Sequence, residues 1–367
     1  MITRHSMYTG PNEHRRGRRF FSFPMIVSRT PFRVTLGGGG TDLPSFYEKH
    51  GGFVLAMAID KYMYVILNVP NADRLIRLHY TKSETVAHVD QLQHELAREA
   101  LRAHGIHDAI EIASVADLPA GTGLGSSSCY LVGLLSAIRA YLLRPVPLQT
   151  LAEEACHIEL DVLKQPIGKQ DQYMAAFGGL TQLEIDKSGA VKVTPLSLPA
   201  YSISDFVANT HLYYTKTQRN ATDILETQSR KVREEIGGAV ENNLLRIRDI
   251  GHEIADAMKV GNFDRFGELM HTHWMAKRQL SDKITIPEVE RLYDHLRAEY
   301  GVLGGKIAGA GGGGFLMLYC PKNGRRLMDF MQSQGMERLH YAPEFEGSRV
   351  ITNVRNAHSE HYHARSW

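Results

Sequence analysis

Apolar residues alternate with polar residues, or form short apolar runs, at several places in the first half of the chain. These runs are rich in β-branched and aromatic residues and are bounded by glycine, proline or polar residues, a pattern typical of β-strands. We predict strands at residues 25–36, 53–69 and 109–115, and a hairpin at 180–198.

Elsewhere the apolar positions recur at intervals of three and four residues, which predicts amphipathic helices. The segment 126–143 is apolar on almost all sides, so we expect a buried helix there. Glycines follow several of these patterns, as they commonly follow helix ends. We predict further helices at residues 43–50, 89–104, 148–163, 221–259, 262–280 and 287–300.

The pattern changes after Pro199, where a predicted strand at 211–215 precedes long polar helices and further strands at 306–308 and 315–320. Strands and helices interleave without a regular βαβ alternation, which favours an α+β class over a doubly wound sheet. The length of 367 residues fits two domains of ~150 residues each. We therefore predict an N-terminal domain at 25–200 and a C-terminal domain at 201–355.

The two ends of the chain differ from the rest. Residues 1–24 contain clustered arginines but lack the apolar stretch of a secretory signal. We expect a disordered extension there, with a basic arm for a partner as the alternative. Residues 356–367 carry three histidines in a polar tract, and we expect a flexible tail rather than a metal site.

Composition and charge exclude several classes of protein. The 43% of hydrophobic residues can form a large core, which excludes extensive disorder. A net charge of +2 gives no excess for non-specific nucleic-acid binding, and no apolar run approaches the ~18 residues of a membrane span. The 3 cysteines are far apart and argue against a disulfide framework, so we expect a cytoplasmic protein.

Glycine is the residue whose distribution is informative, because 14 of the 33 glycines lie in three segments. The central segment, 119–128, reads PAGTGLGSSS and directly precedes the predicted buried helix. Glycines let backbone N–H groups approach a ligand, and a helix N-terminus attracts anions, so we predict a phosphate-binding loop. The spacing fits neither a Walker A loop nor a Rossmann motif, and a capping loop without a ligand is the alternative.

The other two glycine segments lie near the two ends of the chain. In the first, Arg33 and Asp42 flank four consecutive glycines, 37–40, which suit a backbone lying flat against a ligand. Asp42 could equally cap the helix that follows. The last segment, 304–314, has seven glycines in eleven residues, more than one turn needs.

Two carboxylates accompany these segments. Asp171 lies in the sequence KQDQ, and Glu159 lies on a predicted helix upstream. A magnesium–nucleotide kinase uses one carboxylate to hold Mg²⁺ and another to orient or deprotonate the attacking hydroxyl. A lone aspartate in a loop is usually solvated, so the pair gains meaning only from the glycine segments beside it.

The three segments, in this order, resemble the GHMP kinases, a superfamily that includes galactokinase, homoserine kinase, mevalonate kinase and phosphomevalonate kinase. The central segment is similar to the signature P-x-x-x-G-L-G-S-S, and the outer two resemble its substrate motif and its C-terminal glycine loop. The resemblance covers about residues 25–350. It implies a two-domain fold, with an N-terminal ribosomal-protein-S5-like α/β domain and a C-terminal ferredoxin-like α/β domain.

Within the superfamily, galactokinases have Glu-His where this chain has Gly39 and Gly40, so galactose loses support. The segments RTPFRVTLGGGGTDLPSFY, PIGKQDQY and KIAGAGGGGF resemble D-glycero-D-manno-heptose 7-phosphate kinases, which phosphorylate the C1 hydroxyl on the way to a nucleotide-activated heptose. Fucokinases of the same branch have Trp-Ser-Asp at residues 40–42. The resemblance thus implies a small-molecule sugar phosphate as substrate, with ATP and Mg²⁺ as cofactors.

The resemblance also implies roles for individual residues. Asp171 would be the general base, and Arg33 would support the charge of the transferring phosphoryl group. Ser127 and Glu159 would bind Mg²⁺. The ATP phosphates would be bound by Pro119, Gly121, Gly123, Leu124, Gly125, Ser126, Ser127 and Ser128. The sugar would be bound by Arg33, Gly38, Gly39, Gly40, Thr41, Asp42, Lys169, Gly311 and Gly312.

Three features bear on this assignment: the metal ligand, two neighbouring histidines and the cation for the sugar's phosphate. Glu159 and Asp171 are twelve positions apart, one more than in mevalonate kinases, so we expect an insertion at 165–170, with Glu153 or Glu154 as the alternative ligand. His271 and His273 have i, i+2 spacing, which places them on different helix faces and indicates a structural role. Candidate cations for the sugar's phosphate are Lys169, Arg219, Lys277, Arg278 and Lys306.

Other functions are weighed against this one. A kinase for another alcohol, such as fucose or mevalonate, keeps the same machinery. A GHMP-fold binding protein without catalysis would be expected to lose Ser126, Ser127, Glu159 or Asp171, and all four are present. No nucleic-acid or membrane partner is expected, and a homo-oligomer is compatible with the sequence.

Overall fold

A computed structural model describes residues 25–70, 72–217, 221–234 and 237–354. The predicted extension at 1–24 and the predicted tail at 356–367 lie outside the described residues, as does Arg219.

The first half of the chain is a sheet covered by helices. Its elements are β1 (Met25–Gly37), α1 (Pro44–His50), β2 (Gly52–Asn68), β3 (Ile76–His79), β4 (Ser83–Val86), a 3₁₀ turn (Val89–Gln91), α2 (Glu95–Ala103), β5 (Ile110–Ala116), α3 (Ser126–Tyr141), α4 (Leu148–Cys156), a π-helical turn (His157–Val162), α5 (Gln170–Phe177), β6 (Leu180–Ile185) and β7 (Val191–Pro195).

The second half is richer in helices. Its elements are α6 (Ala200–Asn209), β8 (Thr210–Tyr214), α7 (Ala221–Glu234), α8 (Ala239–Lys259), α9 (Phe263–Arg278), α10 (Pro287–Glu299), β9 (Gly304–Ile307), β10 (Phe315–Tyr319), α11 (Gly324–Ser333), β11 (Arg338–Leu339) and β12 (Arg349–Val354).

The described strands form two sheets. One has eight strands, with the path β12-β1-β2-β5-β3-β4 and with β6 and β7 attached to β2. The long strand β2 has three partners, because it pairs with β1, with β5 through residues 63–68 and with β6 through residues 52–57. The second sheet has four antiparallel strands in the order β11-β8-β10-β9. This is the predicted two-domain α+β architecture.

The last strand returns to the first sheet. We predicted that residues 201–355 form the C-terminal domain, but β12 pairs antiparallel with β1, with Met25 opposite Val354. The N-terminal sheet is therefore completed by the end of the described chain. The sequence pattern alone did not separate this strand from the C-terminal sheet, because pairing depends on distant partners.

The buried helix α3 packs closely on β1 and follows directly after the predicted phosphate loop. The Ser28 hydroxyl donates to the carbonyl of Gly133, at 2.7 Å. A Cβ at Gly133 would lie 2.9 Å from Thr30 Oγ1, so only glycine allows this approach. We expect Gly133→Ala to cost roughly 1–3 kcal/mol by overpacking.

Some helix predictions need correction. The predicted helix at 221–259 is two helices, which end and restart around Gly237 and Gly238, because glycines favour a break. The predicted helix at 89–104 is a 3₁₀ turn followed by α2. The segment around Asp171 was expected to be a loop and forms α5. No described helix is long and apolar enough to cross a membrane.

Candidate active site

The predicted phosphate loop leads directly into α3. Gly121, Gly123 and Gly125 all have positive φ, at 75°, 79° and 88°, which explains why glycine occupies these positions. Gly125 is the N-cap of α3, and among the described residues no side chain caps this helix. The first N–H groups of the helix are therefore available for an anion. Leu124 is completely buried, so its side chain belongs to the core.

The C-terminal glycine loop lies against the phosphate loop. A Cβ at Gly309 would lie 2.6 Å from the Cα of Gly123, and a Cβ at Gly314 would lie 2.3 Å from the carbonyl oxygen of Thr122. These glycines therefore allow the two backbones to touch. On the far side, the N–H of Gly312 donates to the carbonyl of Ile284 at 2.8 Å. A sugar contact by Gly311 and Gly312 stays a prediction.

Arg33 joins the phosphate loop to the predicted base. It lies on β1, is 3% exposed, and donates from Nε to Asp171 Oδ1 at 2.7 Å and from Nη2 to the same oxygen at 2.5 Å. Its Nη1 donates to the carbonyl of Gly123 at 2.8 Å. Within the described residues Asp171 Oδ2 accepts no hydrogen bond, and it faces Gly125 at the start of α3. Arg33 thus fixes one oxygen of Asp171 and leaves the other available.

Glu159 is the second carboxylate and is completely buried. Its Oε1 accepts from the Ser127 hydroxyl at 3.2 Å. Its Oε2 accepts from the Ser128 hydroxyl at 2.9 Å and from Gln172 Nε2 at 2.5 Å. Burial raises the pKa of Glu159 to about 7, although the serine and glutamine donors oppose the shift. The carboxylate is thus held in place, but no positively charged side chain among the described residues pairs with it.

The π-helical turn at His157–Val162 carries Glu159. Its Leu163 N–H donates to the carbonyl of Ile158, five residues earlier, at 2.9 Å. A π-turn holds one residue more than an α-turn, and such turns are frequent at functional sites. The single extra position between Glu159 and Asp171, which we expected at 165–170, can thus be accommodated inside this helix.

The alternative carboxylates do not reach the serines. Glu154 pairs with Arg139 at 2.8 Å and with His104 at 3.1 Å, and Glu153 accepts from Gln149 at 2.8 Å. Glu159 is therefore the carboxylate that the geometry places beside Ser127. A hydroxyl and a carboxylate are oxygen donors of the kind that Mg²⁺ prefers. In the part of the chain described, no group of three or more His, Cys, Asp or Glu side chains is arranged to hold a metal ion by itself.

Asp42 is buried next to Asp171. It accepts from the N–H of Gln170 at 3.1 Å, from Gln170 Nε2 at 3.2 Å and from the N–H of Gly40 at 3.0 Å. Burial raises the pKa of Asp42, and the nearby negative charge of Asp171 adds to this effect. Asp42 therefore does not cap α1, which begins without a side-chain cap. Its position supports a role near the sugar, which stays a prediction.

Part of the first glycine segment has a packing role that we did not predict. The Thr41 hydroxyl donates to the carbonyls of Gly38 and Phe53, at 2.7 and 2.8 Å, and is fully buried. A Cβ at Gly38 would lie 1.9 Å from the carbonyl oxygen of Phe53. The backbone at this point lies flat against strand β2 rather than against a ligand. Gly39 and Gly40, by contrast, are only partly buried.

The candidate cations are in very different surroundings. Lys169 donates to the carbonyl of Gly189 at 2.5 Å and lines a cavity of about 950 Å³ with Tyr47 and Arg230. Arg278 pairs with Glu290 at 2.8 Å. Two other candidates, Lys277 and Lys306, are buried. His271, for which we predicted a structural role, bonds the Tyr293 hydroxyl at 3.0 Å.

Sequence reasoning missed two glutamines that position the carboxylates. Gln170 donates from Nε2 to Asp42 and accepts at Oε1 from the Thr35 hydroxyl, at 2.7 Å. Gln172 donates to Glu159. Both flank Asp171 in the motif KQDQ, so the signal was present. A helix at this point, rather than a loop, turns these neighbours toward different carboxylates.

Two family profiles match the chain. The GHMP kinases N terminal domain matches residues 89–179, and the GHMP kinases C terminal domain matches residues 254–335. The phosphate loop, the π-turn and Asp171 lie in the first match, and the C-terminal glycine loop lies in the second. The chain therefore belongs to the GHMP kinases, a family of ATP-dependent enzymes.

Individual relatives show which kinases are similar to this chain. The chain is 28% identical over 312 residues to a D-glycero-alpha-D-manno-heptose 7-phosphate kinase of Campylobacter jejuni, covering 80% of this chain and 89% of that protein. It is 28% identical over 339 residues to an L-fucokinase/L-fucose-1-P guanylyltransferase of Bacteroides fragilis, covering 81% of this chain and 35% of that protein. A crystal structure of a D-glycero-D-manno-heptose 1-phosphate kinase from Bacteroides thetaiotaomicron has a TM-score of 0.72 at 22% identity, covering 89% of this chain and 99% of that one, which establishes the shared fold.

Proposed function

We propose that this chain transfers the γ-phosphoryl group of ATP to the C1 hydroxyl of D-glycero-D-manno-heptose 7-phosphate, or of a close manno-heptose phosphate. The product is the 1,7-bisphosphate, a precursor of nucleotide-activated heptose for surface polysaccharides. The observation that carries the proposal is the free oxygen of Asp171, which faces the uncapped start of α3. The similarity to a heptose 7-phosphate kinase supports the choice of sugar.

The base and its positioning residue have separate tasks. Asp171 Oδ2 accepts the proton of the attacking hydroxyl or orients that hydroxyl, while Arg33 holds Oδ1 and keeps the carboxylate in place. Phosphoryl transfer depends mainly on positioning and on neutralised charge, so one well-oriented carboxylate is enough. Because Arg33 uses three donors on Asp171 and Gly123, we assign it to positioning rather than to direct phosphate binding.

The phosphate loop and Glu159 form the nucleotide side of the site. The N–H groups of α3 and the glycine loop bind phosphate oxygens, and Ser127 with Glu159 would hold Mg²⁺. When bound, Mg²⁺ neutralises phosphate charge. The positive ion also supplies the partner that the buried Glu159 carboxylate lacks among the described residues.

The sugar side is formed by Asp42, Gly39, Gly40 and Lys169. Asp42 is fixed by Gln170 beside Asp171, so its carboxylate can accept from sugar hydroxyls. Because residues 39 and 40 are glycines, they leave room that the Glu-His pair of galactokinases would fill. Lys169 borders the cavity of about 950 Å³, which could receive the remote phosphate group of the sugar.

The alternatives share this machinery. A fucokinase would use the same base and metal residues. The Bacteroides fragilis relative supports this alternative, because it is as similar in sequence to this chain as the heptose 7-phosphate kinase is. A non-catalytic binding protein is disfavoured, because both carboxylates and the serines are present, and Glu159 bonds Ser127 and Ser128.

The experiment is a substrate panel with purified protein and MgATP. Heptose 7-phosphate, mannose 6-phosphate, fucose, mevalonate and galactose are compared by ADP release, and ³¹P NMR identifies the phosphorylated carbon. We expect the highest kcat/KM with heptose 7-phosphate and a new anomeric phosphate signal. Fucose turning over faster, or no ADP release with any manno-configured sugar phosphate, would contradict the proposal.

A further inference from the structure

Two buried lysines lie behind the contact between the two glycine loops. Lys277, in the last turn of α9, is 6% exposed, and its Nζ donates to the carbonyls of Gly309 and Ile307, at 2.5 and 3.2 Å. Lys306, on β9, is 2% exposed. Lysine is almost never fully buried unless it is paired, so these two positions need an explanation.

The charges of this lysine pair have no counter-charge among the described residues. Neither lysine forms an ion pair there, and the other charged side chain that acts on both is a further cation, Arg33. His273 is buried beside them, and neither of its ring nitrogens bonds another residue. Burial, together with the positive charge of Arg33, lowers the pKa of Lys277 to about 7. Burial lowers the pKa of Lys306 well below its usual range as well.

A short chain of contacts leads from these lysines to the reaction centre. Lys277 bonds the carbonyl of Gly309, and Gly309 touches the backbone of Gly123 in the phosphate loop. The carbonyl of Gly123 in turn accepts from Arg33, which holds Asp171. Lys277 is therefore separated from the phosphate loop by one backbone segment. A charge at this place acts on whatever anion the loop binds, because screening is weak in a buried site.

We propose that Lys277 is a positioning residue of the nucleotide site, which holds the C-terminal glycine loop against the phosphate loop, and that the positive charge of Lys277 and Lys306 is matched by the phosphates of the bound nucleotide. Burial makes the charged forms of both lysines costly in the free protein, and a polyanion on the other side of the loops lowers that cost. Lys306 contributes charge alone, because its ammonium makes no hydrogen bond within the described residues. This inference rests on nucleotide use and not on the identity of the sugar.

The test measures nucleotide binding without sugar. Lys277→Met and Lys306→Met remove the charge but keep side-chain length, and Lys259→Met at the exposed end of α8 is the matched control. Titration calorimetry with Mg²⁺ and the non-hydrolysable analogue AMP-PNP is compared with titration by AMP, and thermal unfolding gives the Tm of each free protein.

We expect Lys277→Met to weaken AMP-PNP binding about tenfold or more and AMP binding by less than about twofold, with Lys306→Met weakening AMP-PNP binding several-fold. The Tm of free Lys306→Met should not fall, because the variant removes an unpaired buried charge. Lys259→Met should match the wild type in all measurements.

Unchanged AMP-PNP affinity in both variants would overturn the inference. Equal losses for AMP-PNP and AMP would overturn it too, because they would indicate a distorted loop and not a charge that matches phosphates. If the wild type phosphorylates no heptose, nucleotide binding can still be measured. The proposal for the substrate and the inference about the lysines are therefore tested independently.

Discussion

The carboxylates of the N-terminal half and the lysines of the C-terminal half approach the same two loops but are held in opposite ways. Asp171, Glu159 and Asp42 each accept hydrogen bonds from at least two protein donors. The ammonium groups of Lys277 and Lys306 have carbonyl partners at most and no carboxylate among the described residues. The acidic groups are therefore preorganised before a ligand arrives, whereas the cationic groups depend on the ligand for their counter-charge.

Replacing the proposed base should have the largest effect. Asp171→Asn keeps the size of the side chain but cannot accept the hydroxyl proton, so we expect kcat to fall about 10²–10⁴-fold. AMP-PNP affinity should change little, because nucleotide binding relies on the loop and α3. Steady-state ADP release and calorimetry measure the two quantities.

The matched control for this experiment is Asp256→Asn, an exposed carboxylate on α8 that pairs with Lys259. It should retain wild-type turnover. If Asp171→Asn also retains it, the assignment of Asp171 as base is wrong, and the contrast between a reacting carboxylate and the supporting cations disappears.

Replacing the predicted metal ligand should have a smaller effect that depends on Mg²⁺. Glu159→Gln keeps the hydrogen bonds of the buried site in part but removes the charge, so we expect kcat to fall roughly 10–100-fold at low Mg²⁺ and to recover partly at high Mg²⁺. The measurement is activity against Mg²⁺ concentration at fixed ATP. Glu153→Gln, at the same helical segment but away from Ser127, is the control and should leave the Mg²⁺ midpoint unchanged.

Replacing the positioning residue tests how rigidly the carboxylate must be held. Arg33→Lys keeps a positive charge but loses the fork that bonds Asp171 and Gly123 together. We expect kcat to fall by about tenfold, with KM for ATP less affected. A KM effect larger than the kcat effect would instead assign Arg33 to direct binding of the ATP phosphates.

Much of this arrangement could be predicted from the sequence because it is local. The predicted phosphate loop and its helix form one short pattern, and the two carboxylates were assigned only from the glycine segments beside them and from the family resemblance. The π-turn at Glu159 and the helix that begins at Gln170 were not predicted, since their apolar spacing resembles an ordinary helix and a loop. The roles of Gly38 and Thr41 were not visible either, because both depend on contact with strand β2.

The lysine pair was the least predictable part of the site. Lys277 and Lys306 lie more than 140 residues beyond the phosphate loop in sequence, and their burial follows from how α9 packs on β9. A lysine near the end of a helix usually lies in solvent, where it interacts with the helix dipole. Only the assembled fold shows that Lys277 points inward to Gly309.

The smallest predicted effect concerns stability and pH, and it tests the same contrast in the free protein. The pKa of Lys277 is lowered to about 7 in the folded state from 10.5, with Arg33, Lys306 and His273 as the charged or titratable groups facing it. Between these two pKa values the unfolded chain binds more protons than the folded protein. The free energy of unfolding should therefore rise with pH above about 7, at no more than about 1.4 kcal/mol per pH unit from this group.

Urea unfolding of the wild type and Lys277→Met at pH 7, 8 and 9 measures this rise by comparison. The variant lacks the titrating group, so the stability difference between the two proteins should change by about 1 kcal/mol or more over that range. Saturating AMP-PNP should reduce the change, because nearby phosphates favour the charged lysine and restore its pKa toward the usual value. A difference that stays constant with pH in the free protein would mean that Lys277 does not titrate in this range, and the contrast with the well-partnered carboxylates would then rest on hydrogen bonding alone.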